Sequence, residues 1–151
     1  MIKIKYLQEE LKEDKQFVIH VHDARHTNQH FDLRMIHPFD EKILLSFAFG
    51  KDFDKSFNKK IAGVRTKDHD PRWLTLKSYR LQEFDKGFVK YLTFSKTFLS
   101  LDFNGEKIKG KYKLFKVRSN YRDDRWLLVK DKNTLQEMYN EISKTNYKVI
   151  I

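Results

Sequence analysis

Apolar and polar residues alternate with a period of two through most of this chain, in short runs divided by turn residues. Residues 17–22 (FVIHVH) put Phe17, Ile19 and Val21 on one strand face and Val18, His20 and His22 on the other. Residues 30–35 (HFDLRM) repeat the pattern, with His30, Asp32 and Arg34 opposite Phe31, Leu33 and Met35. The polar connection 23–29 joins them as a somewhat long hairpin, so the two His-bearing faces look into one space. A turn at 37–40 leads to a buried strand at 42–49 ended by Gly50, then a charged loop at 51–60 and a strand at 61–65. Pro71 ends regular pairing, which leaves His69 at a strand end or loop, free to face a cleft. Further strands are expected at 73–76, 79–84 and 88–94, with Asp85-Lys86-Gly87 as a tight hairpin. Strands at 98–103, 111–118 and 126–129 follow, the first running into the turn pair Asn104-Gly105. Helical spacing appears only near the ends. Residues 6–15 carry Leu7 and Leu11 one turn apart, and Asn133 offers an N-cap with Gln136 three residues on, ahead of the stripe Leu135, Met138, Tyr139 and Ile142.

About eight to ten short strands without strand–helix alternation point to a mainly β fold. The expected architecture is a small antiparallel β-barrel, a sandwich being the alternative, with one C-terminal helix and a short N-terminal helix. Residues 1–151 form one domain with no repeat or linker. A closed sheet would hold the His faces inward or at a rim.

Composition narrows the partners. Thirteen Phe and an aromatic content of 15% argue against disorder. With no Cys, disulfides and thiolate metal sites are excluded. The N-terminus shows no signal peptide and no apolar run reaches membrane-spanning length, so the expectation is a soluble, cytoplasmic monomer with no membrane partner. A net charge of +10, dispersed along the chain, makes a surface that attracts polyanions, nucleic acid being the commonest.

The chemistry concentrates in the opening hairpin. Imidazole and carboxylate are the usual ligands of Zn, Mn, Fe and Ni, and three protein ligands leave positions open for water or substrate. His22, His30 and Asp32 form the expected set. Two other readings use the same residues differently. His30-x-Asp32 with a distal His69 has the two-His-one-carboxylate form of an Fe(II) oxygenase. A noncatalytic nucleic-acid-binding barrel would instead stack bases on Phe47, Trp73 and Tyr79.

The block FVIHVHDAR…HFDLRM resembles the first motif of the 3′-phosphoesterase domain of bacterial and archaeal DNA ligase D systems. LLSFAFGK, VRTKDH and FNGEKIKGKYKLFKVR…WLLVKD are similar, in order, to later blocks of that family, so the likeness spans about 17–131. It implies a compact β-barrel that uses Mn2+, with Zn2+ or Co2+ as alternatives, to remove a 3′ ribonucleoside or 3′-phosphate in DNA end repair by non-homologous end joining. Its substrates would be DNA or DNA/RNA 3′ ends, and its partners a separate ATP-dependent ligase and repair polymerase. His22, His30 and Asp32 match the family's metal ligands, and Arg34, Lys51, Lys60 and His69 match residues that contact phosphate or assist the chemistry, His69 and Arg34 in catalytic roles. The chain departs from the pattern at four places: His26 lies in a longer gap between the first two ligands, Trp73 replaces a Tyr, 74–84 lacks the family's Gly-rich stretch, and the family's acidic N-terminal arm is not found.

Overall fold

The computed structural model describes residues 11, 13–22, 29–78, 81–118 and 125–131, and the backbone of 148–149. Eight of its strands close an antiparallel barrel: β1 (Asp14–His22), β2 (His30–Ile36), β3 (Leu44–Phe49), β4 (Lys60–His69), β5 (Leu81–Phe94), β6 (Phe98–Gly105), β7 (Lys109–Arg118) and β8 (Arg125–Lys130). The order around the wall is β6-β5-β1-β2-β3-β4-β8-β7, and pairing of β7 with β6 completes the circle. A two-residue strand, β9 (Lys148–Val149), pairs with the end of β7. Closure leaves these eight strands without a free edge. Among the described residues no helix is long and apolar enough to cross a membrane.

The alternation of the sequence decides which face is inside. Phe17, Ile19, Phe31, Leu33, Met35, Leu45, Phe47 and Phe49, the odd positions of β1 to β3, join Val89, Tyr91, Leu101, Tyr112, Leu114 and Leu128 in one core. The even positions therefore face outward. The His-bearing faces of β1 and β2 are on the outer wall, against the expectation of an inward or rim placement, because the bulky apolar residues alternate with them and fill the interior. A second apolar cluster, Phe115, Val117, Leu127 and Val129, is on the outer face of β7 and β8.

Three expected elements take other forms. The charged loop 51–60 contains one helical turn, α1 (Phe53–Ser56), whose Phe53 is fully buried against Phe31 and Phe49. Residues 73–76 are not a strand: a 3-10 turn, Pro71–Leu74, begins at Asp70, whose side chain accepts the Arg72 N–H at 2.9 Å. Asp85-Lys86-Gly87 is not a hairpin. The chain runs through it as the interior of β5, a 14-residue strand paired with both β1 and β6. Gly87 is needed there because a Cβ would run into the Asn104 carbonyl of β6. Of the expected N-terminal helix, Asp14 and Lys15 belong instead to β1, and its first five residues lie outside the described residues. The expected helix after Asn133 lies wholly outside them.

Candidate metal and phosphate site

Register brings the site together on the outer wall. His22 pairs with His30, His20 with Asp32, and Val18 with Arg34 across β1 and β2, so these side chains share one face. β3 continues the row, Ser46 opposite Arg34, and β4 extends it with Thr66 opposite Ser46. Thr66 and His69 are three residues apart and would face opposite ways in a regular strand. A bulge prevents that. Ser46 pairs with Thr66 but Leu44 with His69, so β4 carries one extra residue and His69 returns to the outer face. A matching bulge in β5 puts Glu83 opposite His20 on the outside while Asp85, opposite Ile19, stays inside.

The chain from Pro71 to Ser78 crosses over this face and makes a cleft of about 470 Å³, whose walls include His22, His30, Asp32, Arg34, Thr66 and His69. His22 Nδ1 and His30 Nε2 approach to 3.1 Å, and His30 Nε2 lies 3.5 Å from Asp32 Oδ2. One ligand atom from each of His22, His30 and Asp32 falls within 4.8 Å of the others. Two imidazoles half open to solvent and one buried carboxylate make a donor set that suits a borderline divalent cation. The residues present therefore fit a divalent metal of the kind that the family resemblance implies. His69, three strands from His22, is not part of that cluster, so the His30, Asp32, His69 triad of the oxygenase reading does not form.

Arg34 supports the cluster from below. It is 4% exposed, donates through Nη2 to Asp32 Oδ2 at 3.3 Å, and meets His20 Nδ1 through Nη1 at 2.9 Å. A guanidinium can only donate, so His20 Nδ1 accepts and the His20 proton is on Nε2. Burial, followed by the Arg34 charge, lowers the His20 pKa to about 4, which keeps this imidazole neutral near pH 7. Burial also draws the Arg34 pKa below its usual value, opposed by Asp32, but guanidinium remains charged. Trp73 covers Arg34, ring centroid 4.9 Å from Cζ, and meets His69 edge-on at 4.9 Å.

Four buried polar atoms among the described residues lack a partner: Arg34 Nε, Ser46 Oγ, Thr66 Oγ1 and His69 Nδ1. Three belong to walls of this one cleft. Orphaned polar groups are costly in a folded protein, and their concentration marks a place built for a polar ligand. Thr66 and Ser46 escaped the sequence reading. Their only signal would have been register, which pairs Ser46 with Arg34 and Thr66 with Ser46.

The remaining expected residues stand apart. Lys51 is exposed in the turn before α1, and Lys60 opens β4 opposite Val129; neither lines the cleft. Both sit beyond the Phe49–Gly63 pair, past the His30 end of the row, so the strand geometry carries them away from Arg34 and His69. Phe47 is in the core and cannot stack a base, while His26 and Tyr79 lie outside the described residues. Comparison with known proteins finds no family model and no curated protein that matches this chain.

Proposed function

We propose that this protein is a metal-dependent phosphoesterase that processes nucleic-acid 3′ ends, removing a terminal ribonucleoside or a 3′-phosphate. The observation that carries the reading is the convergence, in one cleft, of a His22, His30, Asp32 donor set with a buried arginine and three unpartnered polar atoms, one of them the Nε of that arginine. A phosphoester needs the same set of parts: cation ligands, donors for non-bridging oxygens and a group that moves a proton. Manganese is the cation that the family resemblance implies, and a divalent ion would supply Lewis acidity toward a phosphoryl oxygen and acidify bound water.

The chain's own residues do the rest. Arg34 fixes the Asp32 carboxylate and keeps Nε for an oxygen that enters beneath Trp73. Thr66 Oγ1 offers a neutral donor from the next wall. His69 has an unpaired Nδ1 and takes the part of general acid or base, holding a proton for the leaving oxygen or receiving one from the attacking water. Trp73 lies over Arg34 and helps to bury it, which strengthens the interactions of that guanidinium.

The test is a primer-template with one 3′-terminal ribonucleotide, labelled at its 5′ end and incubated with the protein and Mn2+. The expected product is shorter by the ribonucleoside, absent with chelator, and absent for His30→Ala and Asp32→Ala proteins that keep wild-type circular dichroism. No shortening with Mn2+, Zn2+ or Co2+, together with unchanged DNA binding by those variants, would reject the esterase in favour of a binding module.

A further inference from the structure

A second cleft, about 430 Å³, opens at the end of the barrel where the loop between β5 and β6 meets β4 and β7. It is lined by Arg65, Thr66, Lys96, Thr97, Lys116 and Trp126. Three of these six are cations and none is an acid. Arg65 pairs with Phe47 across β3 and β4, and Lys116 with Trp126 across β7 and β8. Because Phe47 and Trp126 point into the core, Arg65 and Lys116 occupy inward-facing positions at the barrel's end. Arg65 and Lys96 are exposed and Lys116 is half-buried, so the three charges are open to solvent and to an anion, and like charges held together repel. Arg65 is offset by Asp68 at 3.3 Å, but among the described residues no acid pairs with Lys96 or Lys116. The main chain locks the group together, since the Lys116 N–H donates to the Thr97 carbonyl at 2.8 Å.

Thr66 lines both clefts, and its buried hydroxyl has no partner. The two spaces are therefore neighbours across one residue of β4. We infer that the Arg65, Lys96, Lys116 cleft seats the phosphate backbone of a single nucleic-acid strand, delivering its terminus past Thr66 into the His22, His30, Asp32 cleft. The cleft, about 430 Å³, takes a short stretch of one backbone, and it has no exposed aromatic for base readout, since Trp126 is 4% exposed. The contacts are thus to phosphate, sequence-independent and sensitive to salt. The direction of the strand rests on the 3′-end reading above; the anion seat does not.

The experiment follows binding of a 5′-fluorescein dT12 strand by anisotropy across a salt series, with the full chain. Lys96→Gln/Lys116→Gln is compared with a control double variant, Lys42→Gln/Lys55→Gln, which removes equal charge from exposed sites elsewhere. Two lost phosphate contacts on a single strand reduce the slope of log K against log salt by about 1.4. The control keeps the wild-type slope. Lys96→Glu, a change on an exposed loop, serves should the double variant lose its melting transition, and is expected to weaken binding at least tenfold at low salt. Equal affinity and slope in the wild type and the Lys96 variants would overturn the inference, as would an equal loss in the control. Competition by poly-glutamate of matched charge as strong as by dT12 would overturn it in favour of an acidic protein partner. Turnover of the 3′-ribonucleotide substrate is measured in parallel: a wild type that binds through Lys96 and Lys116 without turning over keeps the anion seat and rejects only the esterase.

Discussion

Asp85→Ala removes the group that ties the longest strand to the neighbouring turn. The Asp85 carboxylate is 1% exposed and accepts four backbone N–H groups. Oδ1 takes Lys86 N at 2.8 Å and Glu106 N at 2.8 Å; Oδ2 takes Lys107 N at 3.0 Å and Ile108 N at 2.7 Å. Three of the four belong to the turn between β6 and β7, so the carboxylate takes the place of the β ladder that the turn lacks. A hydrogen bond to a charged partner contributes about 1.5–3 kcal/mol. The full sum does not apply, because Glu106 and Lys107 are exposed and water can reach their N–H groups after truncation. Ile108 is fully buried and its N–H would be stranded, alone costing about 1–3 kcal/mol. The expected loss for Asp85→Ala is about 3–5 kcal/mol, in the range kept for broken buried networks. Asp85→Asn keeps the shape but turns an amide NH2 toward two of the donors, and should lose somewhat less. Urea unfolding followed by tryptophan fluorescence reads the change as a lower midpoint at constant slope. In a melt the loss corresponds to roughly 10 °C for a chain of this length. An Asp85→Ala midpoint within about 1 kcal/mol of wild type would refute the argument. Because Asp85 faces the interior and the cleft is outside, turnover well below the transition should be unchanged.

Phe53→Ala leaves a cavity beneath Phe31, Phe49 and Phe57 and should cost about 3–5 kcal/mol by urea titration. Gly63→Ala forces a Cβ to 2.5 Å from the Ala48 carbonyl and 2.6 Å from the Phe49 ring, so β3 and β4 must part; a loss of about 1–3 kcal/mol is expected in thermal melts. Arg34→Lys keeps the charge but loses the fork to Asp32 and His20, and Mn2+ affinity by titration calorimetry should fall by about tenfold or more; an unchanged value would mean that Arg34 does not orient the ligand. Tyr112 is raised by burial to about 12 and Tyr91, wholly buried, is also raised. Between pH 10 and 12 the folded state then holds more protons than the unfolded, so stability falls as pH rises through that window, and Tyr112→Phe should flatten the fall measured by urea midpoints.

The barrel was legible where alternation ran unbroken. In 17–22, 30–35 and 44–49 every second residue is a bulky apolar group, and each of these runs is a strand with that face in the core. Legibility failed where an isolated cue was read without its partner. Asp85-Lys86-Gly87 carries the composition of a turn, yet its Asp is the anchor of a different turn some twenty residues on, and its Gly makes room for a neighbouring strand. Neither role has a local trace. Phe53 was hidden in the same way, as one apolar residue among charges, although it fills the barrel's end.

For the site, the short-range part could be read and the long-range part could not. His22, His30, Asp32 and Arg34 share a hairpin, and period two alone predicts their common face; the face itself, outer instead of inner, follows from the volume of the residues between them. His69 is different. Counted along a regular strand it would turn away from Thr66, and only the extra residue in β4 brings both to the wall where Arg34 waits. A bulge costs ladder hydrogen bonds and persists where re-aiming a side chain is worth that loss. The bulge in β5 acts likewise, sending Glu83 out toward His20 and keeping Asp85 in with the turn it holds. These two of the three register shifts flank the cleft on opposite sides, one in β4 and one in β5. A third shift, between Tyr91 and Thr93 where β5 pairs with β6, is away from the cleft; the β4 shift is the one that aims a residue the proposed chemistry requires, and a β4 shortened by one residue between Thr66 and His69 should fold as a barrel while losing turnover.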